Sequence, residues 1–516
     1  MKLLKIIVFS AGIVFSICLY SQNLQKYLLQ SPVNYINING EEFVKRDLNA
    51  MLNYLFINVN FSEHSAEAEY EWINFYSRPH PSVKTLRKYF AQAAYEFKVP
   101  QQLLEIIAYT ESNWTQIGPS IDRGWGIMHL VQNDYTNTLG EAASLINVKP
   151  EILKNNAQLN IRGAAALISK YAGNNKKYFT KYEDWFDALL SFTGLINEEL
   201  KQKQVITYYH NLCNGVVSNT LWDETIEIAA IPNIDISSKI KSYSSQPKNI
   251  TTVDYAPAIA GFISCNYATG RSHIIDTWVN HWIGVGTYAG AISWFNNCNA
   301  QASAHFVIRA SDGEITQCVN ISNTAWHCGA SGYPNNSRSI GVEHEATSSN
   351  PNLWNSTYML SASANMACYF ASKYSIPSSF HTSPGICGHN EMPGTNTACP
   401  GTLPWTSWIN LYNSCMASSQ GPINLTANVS NCPSKNVTFS WTNSGNGWYI
   451  ALSTDINFGQ YYWKWVSGLT SYTGPAGFVD HIDNSPLVFQ NGLTYYWKIW
   501  NGSNYTSVKQ FSIPMC

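Results

Sequence analysis

The chain has 516 residues, a formal net charge of −2 and only 12% charged residues. Its length is too great for one hydrophobic core and suggests about three domains, and its near-neutral charge gives no support for binding nucleic acid or an anionic membrane. The 18 Trp and 31 Tyr residues are typical of surfaces that contact neutral polymers such as sugars. A well-packed secreted protein is equally compatible with this composition.

The N-terminus has the pattern of an export signal. A short basic start, Met1–Lys5, precedes the apolar run Ile6–Tyr20, which is too short to span a bilayer comfortably and is followed by a small cleavable Ser-Gln segment. The sequence therefore predicts a signal peptide over residues 1–22, a secreted or periplasmic protein, and no membrane partner for the mature chain.

Cysteine parity points to a cysteine with a special role. The chain has 12 Cys, and removal of Cys18 with the signal leaves an odd number. An odd cysteine in an exported protein is reactive, intermolecular or bound to something. If one is a metal ligand, the others are compatible with five disulfides; Cys318 with Cys328, and Cys432 with Cys516, are candidate pairs.

The first half of the chain is predicted to be largely helical. Residues 23–81 carry no recognisable chemistry, although the pattern of Glu41–Phe56 allows a helix. Apolar residues at three-to-four spacing then predict several helices. Their ranges are Val83–Phe97, Gln101–Tyr109, Asn160–Ile168 and Trp185–Phe192.

Three motifs in this region resemble the lysozyme-like, lytic-transglycosylase type of fold. They are an E-S pair at a helix end, the G-W-G-I-M-H-L turn at 124–130 and an N-I-x-G-A helix, and they cover roughly Ser82–Gly215. We assign this all-α module to residues 82–236. The resemblance implies that Glu111 is a general acid, because a buried carboxyl group retains its proton and can donate it to a glycosidic oxygen.

The same region departs from that family in two respects. Ser191–Gly194 stands where members usually have an A-Y-N segment, and no second carboxylate is placed to complete a hydrolytic pair. Similar helical modules also precede amidase domains in exported bacterial proteins. Glycan cleavage, glycan binding and a capping or ion-pairing role for Glu111 therefore remain open.

Strands and helices alternate after a Ser-rich linker over residues 237–256. This pattern predicts an α/β domain with a mixed sheet over residues 257–416. The expected strands are Asp276–Trp282, Ala304–Arg309, Ile315–Val319 and Ser339–Glu345, and the expected helices are Thr287–Asn297 and Thr357–Tyr374.

One loop of this domain, residues 388–401, carries both His389 and Cys399. Imidazole and thiolate are ligands that zinc prefers, and three protein ligands plus an open position make a catalytic site. The loop supplies only two of the three. Taken alone, a solvated histidine and a disulfide-bonded cysteine fit the loop as well.

Five motifs in order resemble the zinc-dependent N-acetylmuramoyl-L-alanine amidases, whose fold is shared with peptidoglycan recognition proteins. They cover roughly Pro257–Cys415 and comprise a strand-ending His281, A-H-F-V-I-x-x-x-D-G at 304–313, A-W-H-C-G at 325–329, N-S-R-S-I-G-V-E at 336–343, and G-H with T-A-C-P-G within 388–401.

The resemblance implies a Zn²⁺ site made of His281, His389 and Cys399, with Glu343 as the carboxylate that takes the proton from water. Glu345 shares the strand face of Glu343 and is the alternative base, whereas His344 is expected to point the other way. His305 and His327 are expected to shape the groove or to support the ligands.

Two positions depart from this second family. Ala304 stands where some members have Tyr, and Thr397 stands where many members have a Lys that stabilises the oxyanion. Thr397 can donate one hydrogen bond but brings no charge, so its contribution is expected to be weaker. Because all three metal ligands are present, the pattern favours an active enzyme.

Short, evenly spaced strands in residues 417–516 predict an immunoglobulin-like or fibronectin III-like β-sandwich, which acts in wall binding or as a spacer. The whole pattern predicts a secreted peptidoglycan hydrolase that cleaves the amide between N-acetylmuramic acid and L-alanine. The alternatives are an enzyme that also cleaves glycan through Glu111, and a non-catalytic peptidoglycan-binding protein. The sequence does not fix the oligomeric state.

Overall fold

The computed structural model describes residues 29–47, 49, 75–240, 253–329, 332–395, 397–417, 423–430, 435–442, 448–466, 469–482, 484–500, 506 and 508–514. The predicted signal peptide, most of the predicted linker, and both Cys432 and Cys516 lie outside these residues. In the part of the chain that the structure describes, no helix has the length and apolar character needed to cross a membrane.

A β-hairpin precedes the helical region. Strands β1 (Val33–Ile38) and β2 (Glu41–Arg46) pair in antiparallel fashion, and β3 (His80–Pro81) joins β2. The helix expected from Glu41 is therefore wrong over Glu41–Arg46. The reason is the Asn-Gly dipeptide between the strands, with φ values of 53° and 85°, because this pair favours the two-residue hairpin turn.

Helices form a compact unit with one apolar core. Helix α1 has the predicted bounds, because the Ser82 hydroxyl accepts a hydrogen bond from the Thr85 amide at its start and Lys98 ends it in the left-handed conformation. The unit comprises α1 (Val83–Phe97), α2 (Gln101–Ser112), β4 (Gly124–Trp125), β5 (Leu130–Val131), α3 (Thr138–Leu145), α4 (Pro150–Asn155), α5 (Ala157–Ala172), α6 (Phe186–Phe192), α7 (Glu198–Asn214), β6 (Val216–Asn219) and β7 (Thr225–Ile228).

The next region is built on a mixed sheet with helices packed against it. Its elements are β8 (Ala258–Ala260), β9 (Tyr267–Ala268), β10 (Thr277–Gly284), α8 (Tyr288–Phe295), β11 (Phe306–Ile308), β12 (Ile315–Gln317), β13 (Thr324–Ala325), α9 (Asn335–Arg338), β14 (Ser339–Thr347), α10 (Thr357–Tyr374), β15 (Gly385–Gly388) and α11 (Trp405–Ala417). Six of the strands form one sheet with the order β15-β10-β14-β11-β12-β8. Helices α10 and α11 contribute to a large apolar core of this region, and α8 contributes to a smaller one.

Two disulfides, Cys265–Cys298 and Cys368–Cys415, lie in this region. The expected pairing of Cys318 with Cys328 is wrong, because the two thiols are buried in separate apolar clusters. Cys213 and Cys387 also lack a disulfide partner among the described residues, so the described part of the chain does not have the pairing that five disulfides would need.

The C-terminal region is rich in β-structure. Its strands are β16 (Ile423–Val429), β17 (Val437–Thr442), β18 (Tyr449–Ser453), β19 (Tyr462–Trp465), β20 (Ser471–Gly474), β21 (Val479–Asp480), β22 (Thr494–Trp500) and β23 (Lys509–Ser512). They form one sheet of order β16-β17-β20 and another of order β21-β19-β18-β22-β23, and the two sheets share one apolar core. An immunoglobulin-like or fibronectin III-like topology stays a prediction.

Candidate metal centre

Strand β10 lies between β14 and β15, and all three strands run parallel. His281 on β10 is paired with Glu343 on β14, and Asn280 is paired with Gly388, the last residue of β15. His389 therefore emerges beside His281. The strand continues to Gly284, so His281 lies within β10 and does not end it as expected.

The three predicted ligands converge. Potential donor atoms of His281, His389 and Cys399 all lie within 4.8 Å of one another, and the Cys399 Sγ to His281 Nδ1 distance is 3.5 Å. A tetrahedral zinc ion with ordinary Zn–N and Zn–S bonds separates such atoms by about 3.6 Å. The spacing and the donor types therefore fit a zinc ion.

Burial sets the protonation of these groups. It lowers the pKa of His281 well below the usual value, helped by neighbouring His389, and lowers the pKa of His389 to about 4. Both imidazoles are therefore neutral near pH 7 and have lone pairs for a metal. Burial raises the pKa of the Cys399 thiol, and the nearby negative charge of Glu343 raises it further. A bound cation has the opposite effect and lowers the pKa of a thiol that binds it.

Glu343 lies on the same side of His281 as Cys399. Its Oε1 is 4.0 Å from His281 Nδ1, and its buried Oε2 has no hydrogen-bond partner among the described residues. Burial raises its pKa well above the usual range. A buried carboxylate with one unsatisfied oxygen beside the ligands is well suited to accept a proton from water.

The alternative base, Glu345, has different surroundings. One of its carboxylate oxygens accepts a hydrogen bond from the Tyr288 amide and the other from the Ala310 amide, each at 2.8 Å. Both oxygens are therefore engaged by the backbone. His344 points into the core, where its ring contacts the His281 carbonyl and the Ser363 hydroxyl.

His327 lies on the other side of His281. Its Nδ1 is 3.0 Å from His281 Nε2, and its Nε2 is 3.1 Å from the Ser339 hydroxyl, which donates to the Asn335 carbonyl. This chain fixes the His281 ring with Nδ1 toward Cys399. The close approach requires Gly341, because a Cβ there would lie 2.3 Å from the His327 ring.

A second group of potential metal ligands, His281, His327 and Cys328, shares His281. Its Cys328 Sγ lies 3.1 Å from His327 Nδ1, the atom that also faces His281. Among the described residues, the Glu343 carboxylate approaches His281 at Nδ1, the same ring nitrogen that Cys399 approaches.

Thr397 and His305 have supporting positions. The Thr397 hydroxyl oxygen accepts a hydrogen bond from the Cys399 amide at 3.2 Å, so it shapes the loop that carries the ligand. His305 Nδ1 accepts from the Gly341 amide at 3.1 Å, and its ring lies next to that of His327. The role of Ser339 in the histidine chain was missed, although Ser339 lies within the N-S-R-S-I-G-V-E motif.

Glu111 lies apart from these groups, at the buried end of α2. Its Oε1 accepts from Tyr208 and, at 2.8 Å, from Gln204, while its Oε2 is 3.1 Å from His129 Nδ1. Burial raises the pKa of Glu111, and His129 opposes this effect. The network continues to Asp122, whose Oδ1 is 3.0 Å from His129 Nε2. No pattern in the sequence indicated this partner.

Comparisons with known proteins bear on the same region. A family model described as N-acetylmuramoyl-L-alanine amidase matches residues 271–402, a range that contains all three candidate ligands and Glu343. The N-acetylmuramoyl-L-alanine amidase A of Achromobacter lyticus is 36% identical over 177 residues, which are 31% of this chain and 96% of that relative. The chain belongs to the N-acetylmuramoyl-L-alanine amidase family.

Solved structures similar to this family member cover the same share of the chain. The catalytic domain of XlyA is 19% identical in sequence, and the match covers 30% of this chain and 98% of that domain with a TM-score of 0.25. A mutant endolysin from Bacillus subtilis is 20% identical in sequence, and the match covers 30% of this chain and 97% of the endolysin chain with a TM-score of 0.24.

Proposed function

We propose that this chain is a zinc-dependent peptidoglycan amidase that hydrolyses the amide between the lactyl group of N-acetylmuramic acid and L-alanine of the stem peptide. The observation that carries the proposal is the convergence of His281, His389 and Cys399 beside the unsatisfied carboxylate oxygen of Glu343. Membership of the amidase family supports the bond that is cleaved, and the donor set supports zinc.

His281, His389 and Cys399 would hold the ion. When bound, zinc supplies a positive charge that polarises a carbonyl oxygen and lowers the pKa of water to about 7. His327 keeps the His281 ring in the orientation that presents Nδ1 toward Cys399, and Thr397 orients the loop that carries Cys399.

Glu343 moves the proton. Its Oε2 accepts a proton from the attacking water and then passes it to the nitrogen of the leaving L-alanine, so that a neutral amine departs. Burial raises the pKa of Glu343, and a cation held by the neighbouring ligands would oppose that effect and favour the ionised carboxylate that the first step needs. Glu345 is less suited to this role because backbone amides already occupy both of its oxygens.

Export is part of the proposal. The two disulfides are typical of proteins that mature in an oxidising compartment, where the cell wall is also found. Peptidoglycan is the proposed partner.

Glycan cleavage through Glu111 stays a prediction. The raised pKa of Glu111 suits a general acid, but Tyr208, Gln204 and His129 already contact its two oxygens. The products of digestion separate the two activities, because amide hydrolysis releases free stem peptides and glycan cleavage releases glycan fragments.

Mass spectrometry of muropeptides from digested sacculi tests the proposal. The intact chain should release free stem peptides, Cys399→Ser should release none, and Cys213→Ser, a free cysteine on α7 outside the metal centre, should behave as the intact chain does. The absence of free stem peptides from the intact chain would favour the non-catalytic alternative. Glycan fragments that disappear in Glu111→Gln would establish the second activity.

A further inference from the structure

One peptide group of β10, between His281 and Trp282, lies close to the places where regular strand pairing stops. On one side, the pairing of β10 with β15 ends at Asn280. On the other side, the pairing of β10 with β14 shifts register between Trp282 and Gly284. A register shift interrupts the backbone ladder and re-aims the residues beside it. Side-chain contacts can therefore decide how this peptide group is oriented.

A side chain contacts each end of this peptide group. The His281 carbonyl oxygen lies 2.6 Å from His344 Nδ1, and the Trp282 amide donates to Cys399 Sγ at 3.4 Å. A carbonyl oxygen can only accept, so the His344 ring carries a hydrogen on Nδ1 and donates it. The peptide group therefore connects the His344 side chain with the sulfur atom of a candidate metal ligand.

A chain of hydrogen bonds fixes the other side of the His344 ring. His344 Nε2 lies 2.6 Å from the Ser363 hydroxyl on α10, and the Trp408 indole N–H on α11 donates to the same hydroxyl oxygen at 2.9 Å. An indole N–H can only donate, so the Ser363 hydroxyl accepts from Trp408 and donates its own hydrogen to His344. All three side chains are buried, and a satisfied buried chain of this kind keeps a ring in one orientation.

The loop that carries Cys399 lies closely against Trp282. Gly401 has a φ of 65°, and a Cβ there would lie 2.3 Å from the Trp282 ring. This close packing brings Cys399 Sγ within reach of the Trp282 amide. Since His281 and Cys399 are both candidate zinc ligands, the amide N–H that follows one ligand is directed at the sulfur atom of another.

We propose that His344 is a positioning residue of the metal centre, which holds the His281 carbonyl so that the next amide N–H points at Cys399 Sγ. The inference deepens the proposed function and rests on it, because it needs zinc bound by His281 and Cys399. Hydrogen bonds from surrounding groups orient metal ligands, and their loss typically lowers metal affinity by about 10–100-fold. The His344 ring points into the core, so it acts on the ligands through the peptide group.

Three replacements at position 344 separate positioning from packing. In His344→Asn, the side-chain amide N–H takes the place of the ring Nδ1–H, and the contact with Ser363 is lost. In His344→Gln, the side-chain oxygen takes the place of Nε2 and keeps the contact with Ser363, but the bond to the His281 carbonyl is lost. His344→Leu loses both contacts.

Zinc affinity should follow the contact with the His281 carbonyl. We expect it to fall by about 10–100-fold in His344→Gln and His344→Leu and to stay within about threefold of the intact chain in His344→Asn. Competition with a chromophoric chelator measures the affinity. Thermal unfolding of the zinc-free proteins is the second readout: His344→Asn and His344→Gln each lose one buried hydrogen bond, so we expect similar losses of stability.

Ser363→Ala removes the donor to His344 without changing position 344, and it keeps the test valid if the His344 variants fail to fold. It should lower zinc affinity by about threefold to tenfold, whereas its matched control on the same helix, Ser361→Ala, should bind zinc as the intact chain does. The inference is overturned if His344→Gln binds zinc as tightly as His344→Asn, or if Ser363→Ala binds it as tightly as the intact chain. An intact chain that binds no zinc would overturn the proposed function as well, so the two failures are distinguishable.

Discussion

Glu343 is the direct parallel-strand partner of His281, and its Oε1 lies 4.0 Å from His281 Nδ1. Strand pairing, and not loop conformation, therefore sets the position of the candidate base relative to a candidate ligand. Sites built on neighbouring strands are held more precisely than sites on loops.

Replacement of the candidate base should separate catalysis from metal binding. We expect Glu343→Gln to lower kcat by about 10²–10⁴ with zinc content unchanged, because Glu343 is not among the three ligands. The rate of stem-peptide release and the zinc content of the purified variant are the measurements. Glu345→Gln is the control and should retain far more activity; a reversed order of the two variants would assign the base to Glu345.

His327 should act through His281. Removal of the hydrogen bond to His281 Nε2 in His327→Phe frees the ring to rotate, so we expect zinc affinity to fall by about 10–100-fold. Competition with a chromophoric chelator measures this affinity. His273→Ala, at an exposed histidine of the same region, is the control. Unchanged zinc affinity in His327→Phe would limit His327 to packing.

The buried network of the helical unit predicts a pH dependence of stability. Burial lowers the pKa of His129, but the carboxylates of Asp122 and Glu111 outweigh this effect and raise it to about 9. The raised pKa means that the protonated ring stabilises the fold below about pH 6.5 and that this contribution is lost as the pH rises through 9.

Thermal unfolding followed from pH 6 to pH 10 checks this prediction. The helical unit should lose roughly 3 kcal/mol over that range, and the loss should be smaller in His129→Gln, which cannot titrate. Equal pH profiles of the two proteins would show that His129 is neutral in the folded chain.

The disulfide Cys368–Cys415 ties α10 to α11 beneath the sheet that carries the candidate ligands. It closes a loop with a sequence separation of 47 residues, so its loss in the double variant Cys368→Ala and Cys415→Ala should lower the free energy of unfolding by about 2–4 kcal/mol. Denaturant titration measures the change. Cys213→Ala, at an unpaired cysteine, should unfold at nearly the same denaturant concentration as the intact chain.

Local elements were predictable where sequence signals agreed. Helix α1 has a capping serine before it and an apolar stripe along it, and its predicted bounds match the structure. The pattern of Glu41–Phe56 allowed a helix, but Glu41–Arg46 forms a strand because the Asn-Gly pair before it makes a hairpin turn. Local patterns fail where a turn decides the structure.

Contacts between distant residues were beyond local patterns. The grouping of His281 with His389 and Cys399 was expected only through the family resemblance, since parallel pairing of β10 with β14 and β15 brings the residues together. Nothing local to Glu111 indicated the His129–Asp122 network. The packing of the helical unit against the mixed-sheet region also depends on pairs such as Lys203 and Glu314 that are far apart in sequence.

We expect zinc held by His281, His389 and Cys399 to support amide hydrolysis, and removal and return of the metal checks this. Purified chain is stripped with a chelator, reloaded with zinc, and assayed for bound zinc and for free stem peptides released from sacculi. We expect about one zinc ion per reloaded chain and restored release of stem peptides, with both lost in Cys399→Ser. Release of free stem peptides by the stripped chain, or by Cys399→Ser without zinc, would contradict it.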